Sequence, residues 1–189
     1  DVGVSQAALE KLADADAFRS IGMDRRQALW QVSALQDTPT GIYKGQSAAP
    51  QSEKCLQLPQ MQLSEHVAHD YATMGLSLKS HPVSFIRGKL SALQILSADD
   101  IGKCKNGDIV KVSGLVLNKQ RPGTASGICF ITLEDETGVA NLVVFKSLFD
   151  KYRKEILQSR LLMVEGKLQI EGTVIHVIVQ RCYDFSKLL

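Results

Sequence analysis

Residues 119–138 read Lys119-Gln120-Arg121-Pro122-Gly123-Thr124-Ala125-Ser126-Gly127, followed by Ile128-Cys129-Phe130-Ile131-Thr132-Leu133-Glu134-Asp135-Glu136-Thr137-Gly138. The first part is a basic loop punctuated by glycine. The second part alternates in the manner of a half-buried strand and ends in an acidic turn. A small β-barrel presents a flexible cationic edge to a nucleic-acid backbone in this way. We therefore expect this loop to lie at the edge of a barrel.

The elements around this stretch follow the order of an OB-fold. Gly114 is predicted to mark a bend that lets one strand serve both ends of a barrel. The predicted elements are strands 108–119, 128–135 and 139–145, a helix over 147–157, and a hairpin of strands 161–170 and 174–181. Three strands, a helix and two strands make the five-stranded Greek-key OB barrel, whereas an SH3-like barrel lacks the helix. We therefore predict an OB-fold nucleic-acid-binding domain over residues 105–189.

The first 36 residues predict two helices joined by a tight turn. Ser5 and Asp24 are good N-caps for the two helices, and Ile21-Gly22-Met23 connects them. This order is typical of a helix-hairpin-helix unit, which points backbone N–H groups at a phosphate. Arg25 and Arg26 lie where they could add charge to that contact. The alternative is an ordinary αα-hairpin with two solvated arginines.

The residues between these two regions predict a linker and a connector. Residues 37–63 are rich in Pro, Gly, Ser and Gln without apolar periodicity, which is typical of a linker. Residues 64–104 predict a helical connector, with one helix that begins at Ser64 and a short helix over 83–90 that Pro82 opens. The predicted fold class is therefore α+β, with a helix-hairpin-helix segment and a linker followed by the OB barrel.

Composition permits nucleic-acid binding but does not prove it. The chain has 189 residues, of which 44% are hydrophobic, and its formal net charge is +2. Residues 1–104 hold 10 basic and 11 acidic side chains, whereas residues 105–189 hold 12 and 9. The cationic excess therefore lies in the half that contains the predicted barrel.

Cysteine spacing and hydropathy predict a cytoplasmic protein. The four cysteines are far apart and form no Cys-x-x-Cys pair, so we interpret them as free thiols in a reducing compartment. No apolar run approaches the roughly 20 residues that span a bilayer, and no signal-peptide pattern opens the chain, so we expect no membrane partner. Because the first residue is Asp1 rather than Met, we expect a fragment of a longer protein.

The candidate nucleic-acid contacts lie mainly in the barrel. An OB-fold usually binds its ligand across strands two and three, beside its first loop. A base could stack on Phe130 while neighbouring cations meet phosphates, a mode that tolerates any sequence. The predicted contacts are Lys119, Arg121, Thr124, Phe130 and Lys146, together with Arg25 and Arg26. The alternatives are a core position for Phe130 and a solvated hairpin tip for Lys119 and Arg121.

Nothing in the sequence predicts catalysis or a metal site. The carboxylates of Glu134-Asp135-Glu136 point to alternate faces of a strand, so a solvated turn is favoured over magnesium binding. His66 and His69, beside Asp70, lack a third ligand at a recognisable spacing. No Ser/His/Asp arrangement, phosphate-binding glycine loop or H-E-x-x-H motif occurs. We therefore assign no catalytic residue, metal or cofactor to this chain.

Several motifs resemble one family over essentially the whole chain. They are Ala8-Leu9-Glu10-Lys11-Leu12-Ala13-Asp14-Ala15-Asp16-Ala17-Phe18, Gly22-Met23-Asp24-Arg25-Arg26-Gln27-Ala28-Leu29-Trp30, Ser64-Glu65-His66-Val67, Gly75-Leu76-Ser77-Leu78-Lys79, Gln120-Arg121-Pro122-Gly123-Thr124-Ala125, Phe130-Ile131-Thr132-Leu133-Glu134-Asp135-Glu136-Thr137-Gly138 and Ala140-Asn141-Leu142. The first two resemble the second half of the tandem helix-hairpin-helix region of bacterial C-family DNA polymerases. The motifs of the predicted barrel resemble the OB domain of the error-prone branch of that family.

The resemblance implies a DNA-directed DNA polymerase, a nucleotidyltransferase that performs translesion synthesis in DNA replication and repair after DNA damage. It also implies that the aspartates that bind two magnesium ions lie upstream of this chain. The helical unit would then contact duplex DNA, and the barrel would contact the single-stranded template.

The resemblance further implies a protein partner. Where the replicative relative carries a Gln-plus-aromatic peptide for the sliding clamp, this chain reads Gln57-Leu58-Pro59-Gln60-Met61. An accessory protein is therefore expected to recruit the clamp. Three alternatives stay open: a non-catalytic OB scaffold for a polymerase accessory protein, a fragment of the replicative polymerase III alpha subunit, and an RNA-binding module of the anticodon type.

Overall fold

The computed structural model describes residues 4–35, 58–124 and 127–189. The chain divides into two compact units, Asp1–Lys79 and Ser80–Leu189. The boundary between them falls inside the segment 64–104 that the sequence presents as one helical connector. Most of the predicted linker, residues 37–57, lies outside the described residues.

The first unit opens with the two helices that the sequence predicts. Helix α1 spans Gln6–Asp14 and helix α2 spans Arg25–Ser33, with a 3-10 turn over Ala17–Ile21 between them. Ser5 accepts a hydrogen bond from the Ala8 amide, and Asp24 accepts one from the Arg26 amide, so both predicted N-caps are confirmed. Gly22 adopts the left-handed conformation, φ +80°, that ends the turn.

Helix α3 spans Leu63–Met74 and begins one residue after Gln62. The backbone N–H of Gln62 donates to Oε2 of Glu65 at 2.9 Å, which satisfies one of the free N–H groups at the helix start. The prediction that Ser64 caps this helix is therefore wrong, because Ser64 already lies inside the first turn.

The second unit begins with short helical segments that cover part of the barrel wall. A 3-10 turn over Pro82–Ile86 runs directly into α4, Arg87–Ala92, and α5 follows at Ala98–Ile101. A small hydrophobic core joins this segment to the outside of the barrel; its buried members are Val83, Ile86, Leu90, Ile95, Leu161 and Met163. One part of the outer barrel surface is thus occupied.

The barrel has the predicted order of strands, with two short helices in place of the single helix predicted over 147–157. Its strands and helices are β1 Ile109–Gln120, β2 Cys129–Glu134, β3 Val139–Val144, α6 Lys146–Lys151, α7 Arg153–Gln158, β4 Leu161–Glu171 and β5 Val174–Asp184. The sheet closes in the order β1-β2-β3-β5-β4, and β3 and β5 are parallel. This is the five-stranded OB-fold, so the predicted α+β fold class is confirmed.

Gly114 allows β1 to pair on both sides. The first half of β1 pairs with β4, and its second half pairs with β2 from Leu115 to Gln120. At the crossing point a Cβ on Gly114 would lie 2.6 Å from the carbonyl oxygen of Glu134. Only glycine permits this close approach, as the predicted bend requires.

Within the described ranges, no helix is long and apolar enough to cross a membrane. Three cysteines, Cys104, Cys129 and Cys182, are free thiols.

Candidate nucleic-acid interface

Phe130 lies on the outer surface of the barrel. It sits between Cys129 and Ile131, both 2% exposed, and is itself 38% exposed. Alternation along β2 therefore sends Cys129 and Ile131 into the core and Phe130 outwards. The alternative that placed Phe130 in the core is wrong, and its ring is accessible on the face that an OB-fold uses for ligands.

The strand register groups the outward residues of this face into two rows. The first row consists of Phe130, Val143 and Ile178, which are apolar, and Gln120 at its β1 end; these residues are paired across β1, β2, β3 and β5. The polar row consists of Asn118, Thr132, Asn141 and His176 in the same strands. Sequence reasoning missed the polar row, although strand alternation places Thr132 on the same face as Phe130.

One hydrogen bond orients the polar row. The Thr132 hydroxyl donates to Oδ1 of Asn141 at 3.3 Å. The carboxamide of Asn141 therefore has its oxygen engaged, and its N–H groups remain as donors. An aromatic ring followed by a hydrogen-bonding row is an arrangement that can stack one base and contact the edge of another.

Lys119 does not share the face of Phe130. It is paired with the buried Ile131, on the side of β1 that faces the barrel end. Its Nζ donates to the carbonyl oxygen of Leu157 at 3.0 Å, at the C-terminal end of α7. Burial lowers the pKa of Lys119. This lysine therefore ties β1 to α7, in addition to any contact it makes with a ligand.

Arg121 and Lys146 converge at Gly127. The Arg121 guanidinium lies 4.6 Å from the ring centroid of Phe149, a cation–π contact. A Cβ on Gly127, whose φ is +83°, would lie 3.3 Å from Nη2 of Arg121 and 3.1 Å from Cδ of Lys146. Glycine thus leaves room for both cationic side chains beside the first loop. Thr124 is exposed in that loop, and residues 125–126 lie outside the described residues.

Arg25 is a buried structural cation. Its side chain is fully buried, forms an ion pair with Asp70, and donates to the carbonyl oxygen of His66 at 3.0 Å. The prediction that Arg25 meets a phosphate, and the alternative that it is solvated, both conflict with this position. Arg26 is partly exposed and pairs with Glu65 at 3.2 Å, so its charge is also partly engaged.

The acidic turn is held by a basic partner rather than by solvent. Asp135 is 6% exposed and accepts hydrogen bonds from the Ala98 amide at 2.8 Å and from Arg87 at 2.9 Å. Glu136 also forms an ion pair with Arg87. The expectation of a solvated turn is therefore wrong, because Arg87 in α4 pairs with both carboxylates. The described residues contain no group of three or more His, Cys, Asp or Glu side chains that could hold a metal ion.

Known proteins with sequences similar to this chain support the OB-fold assignment. Residues 110–185 match the family described as OB-fold nucleic acid binding domain. Over 99% of its length, the chain is 47% identical to error-prone DNA polymerase 1 of Rhizobium meliloti (strain 1021). It is 46% identical over 97% of its length to the error-prone DNA polymerase of Caulobacter vibrioides. The chain is homologous to one segment of error-prone DNA polymerases.

This segment spans about 17% of the length of those two polymerases. Among solved structures, asparaginyl-tRNA synthetase from Pyrococcus horikoshii matches 49% of the chain and 23% of its own length, with 22% identity and a TM-score of 0.40. That likeness is too low to inform function. The chain thus resembles one segment of error-prone DNA polymerases, and its barrel matches the family of OB-fold nucleic acid binding domains.

Proposed function

We propose that the barrel binds single-stranded DNA across the outer face of β2 and β3, as the template-handling segment of an error-prone DNA polymerase that performs translesion synthesis. The observation that carries the proposal is the outward position of Phe130 on the ligand-binding face of an OB-fold. Similarity to error-prone polymerases over nearly the whole chain supports DNA as the ligand.

Binding on this face would combine stacking with electrostatic attraction. A base stacked on Phe130 would contribute about 1–3 kcal/mol, and this contribution tolerates any base. Arg121 and Lys146, at the Phe130 end of β2 and β3, would attract the phosphates. Lys119 and Thr124 are proposed as additional contacts at the same edge. Sequence-tolerant binding of this kind suits a polymerase that copies damaged templates.

The remaining parts of the proposal concern the parent protein. Magnesium-dependent nucleotidyl transfer is proposed for residues outside this chain, and an accessory protein is proposed to recruit the sliding clamp in the cytoplasm. We still propose that the helix-hairpin-helix unit contacts duplex DNA, but only through Arg26 and backbone N–H groups. Arg25 is excluded from it by burial.

Fluorescence anisotropy with a labelled oligothymidine tests the proposal. Phe130→Ala should weaken binding roughly 5- to 150-fold, the equivalent of one stacked base. Phe85→Ala is the matched control, because Phe85 is 42% exposed but lies in the 3-10 turn before α4. Equal affinities for the two variants would contradict the proposed face.

A salt series tests the cationic edge separately. If Arg121 and Lys146 each neutralise one phosphate, replacing both by Ala should reduce the slope of log K against log salt by about 1.4. An unchanged slope would remove both residues from the interface.

A scaffold function is the second candidate, because Lys119 and Arg121 both have intramolecular partners. On this hypothesis the basic edge stabilises the barrel, and the barrel binds a polymerase accessory protein. Retention of that protein together with undetectable DNA binding at low salt would favour the scaffold. Preference for RNA over DNA of the same sequence would instead favour an RNA-binding module.

A further inference from the structure

A pocket of about 210 Å³ opens at the end of the DNA-binding face away from the first loop. Its walls come from the start of β3, the start of β5 and the segment around α5, and they include Val139, Asn141, Ile175, Val177 and Ile101. Aromatic side chains are absent from the pocket lining in the described part of the chain. The volume is below the roughly 300 Å³ at which pockets for drug-sized ligands begin, so the pocket suits a single ring.

The pocket exists because two parallel strands diverge. β3 and β5 are paired only from Asn141 to Val143 on β3 and from His176 to Ile178 on β5. Ahead of that ladder, the strands separate and α5 lies beside the gap. The Ala98 amide donates to Asp135 at 2.8 Å, and the Asp99 amide donates to the Thr137 hydroxyl at 3.1 Å. The pocket is therefore preformed, since α5 is anchored to the β2–β3 turn.

The chemistry of the pocket favours a base over a phosphate. Aliphatic side chains form about half of the exposed lining, which suits the faces of a base, and Asn141 supplies N–H donors because its Oδ1 already accepts from Thr132. Beside it, Lys103 is paired with both Asp99, at 2.7 Å, and Asp100, at 2.8 Å. Two carboxylates against one ammonium group leave a negative excess that disfavours a phosphate at this position.

The pocket is also continuous with the face that carries Phe130. Asn141 belongs both to the polar row and to the pocket lining. It is two residues along β3 from Val143, the cross-strand partner of Phe130, a distance of about 7 Å. A single-stranded DNA that stacks one base on Phe130 can therefore place a nearby base in the pocket.

We infer that the pocket holds one unstacked nucleobase of the bound single strand, with an acceptor on the base edge hydrogen-bonded by the Asn141 amide. The inference rests on the proposed binding of single-stranded DNA to this face. It adds a defined subsite to an otherwise sequence-tolerant surface.

A 2-aminopurine scan along an oligothymidine tests the subsite with the full chain. Stacking quenches this fluorescent base, so the position that leaves the stack and enters the pocket should brighten on binding, whereas a position stacked on Phe130 should stay dim. Val139→Met should abolish the bright position by extending a side chain at the pocket wall. Val174→Met is the matched control, because Val174 is also the first residue of its strand and similarly exposed but does not line the pocket.

Asn141→Ala should reduce affinity roughly three- to tenfold for loss of one hydrogen bond. If no position brightens while Phe130→Ala still weakens binding, the subsite is refuted and the proposed function stands. A bright position that survives Val139→Met would also refute the subsite. Absence of binding by the unmodified chain at low salt would overturn the proposed function as well.

Discussion

Replacing Arg25 by Met removes a buried charge and tests whether this arginine is structural. In the folded chain the guanidinium pairs with Asp70 and donates to the His66 carbonyl oxygen, with no exposure to solvent. Met retains most of the volume but leaves the carbonyl without this donor. Asp70 would keep Lys79, at 2.9 Å, and Ser77, at 2.7 Å. Breaking a buried ion pair costs about 3–5 kcal/mol, and we expect a loss within that range.

Urea unfolding followed by tryptophan fluorescence measures the loss. The chain has a single tryptophan, Trp30, and it lies in α2 together with Arg25. Arg26→Met is the matched control, because Arg26 is the next residue, its side chain is 36% exposed, and its pair with Glu65 should contribute less than about 1 kcal/mol. Arg25 is not structural if Arg25→Met unfolds like the control and instead weakens binding to duplex DNA with a smaller salt slope.

Three further predictions concern stability and reactivity. Burial alone would raise the pKa of Asp70, but hydrogen bonds from Ser77, Lys79 and Arg25 lower it to about 2 from an ordinary value of 3.8. About 2 kcal/mol of folding stability should therefore be present above pH 4 and disappear between pH 4 and 2. Unfolding of Asp70→Asn, followed by Trp30 fluorescence, should lack this acid-dependent part. Gly114→Ala should destabilise the barrel by about 1–3 kcal/mol in thermal unfolding, whereas Gly123→Ala should be nearly neutral, because a Cβ there meets no atom of the described residues within 4 Å. Equal effects would contradict the close approach at Gly114. Burial raises the pKa of the Cys182 thiol to about 12. Iodoacetamide at pH 8 should therefore label Cys182 far more slowly than the half-buried Cys104, as measured by mass spectrometry. Equal labelling rates would contradict the burial of Cys182.

The barrel could be predicted from local sequence signals. Apolar alternation and glycine turns mark each strand, and the helix after the third strand distinguishes an OB-fold from an SH3-like barrel. Gly114 was predictable as a bend because glycine inside a strand often marks a bend, a bulge or a close approach of another backbone. Strand β1 begins and ends one residue later than predicted, and β4 begins where predicted and ends one residue later.

The orientation of Phe130 required the register. Residues 128–135 are predominantly apolar around Phe130, so sequence alone allowed either face to be the interior. The exposure of Phe130 between the buried Cys129 and Ile131 shows that it is on the outside, and the register gives its neighbours there as Gln120 on β1 and Val143 on β3. The same register places Lys119 opposite the buried Ile131, which separates it from the residues it was grouped with in the sequence.

The ion pairs of Arg25 and of the acidic turn could not be predicted, because their partners are distant in the chain. Arg25 pairs with Asp70, 45 residues away, and the acidic turn pairs with Arg87, 48 residues before Asp135. Local patterns present both as solvated charges, because nothing near them in the sequence indicates a partner. Long-range ion pairs of this kind are visible only once the helices are packed.

Amide NMR spectra of the ¹⁵N-labelled chain, recorded during titration with oligothymidine, locate the DNA-binding surface residue by residue. If single-stranded DNA crosses β2 and β3, the largest shifts should follow their outer face, at Phe130, Thr132, Asn141 and Val143. They should be accompanied by shifts at the first loop. Shifts concentrated instead on the segment 82–95 that covers β1 and β4, with the outer face of β2 and β3 unperturbed, would contradict this binding surface.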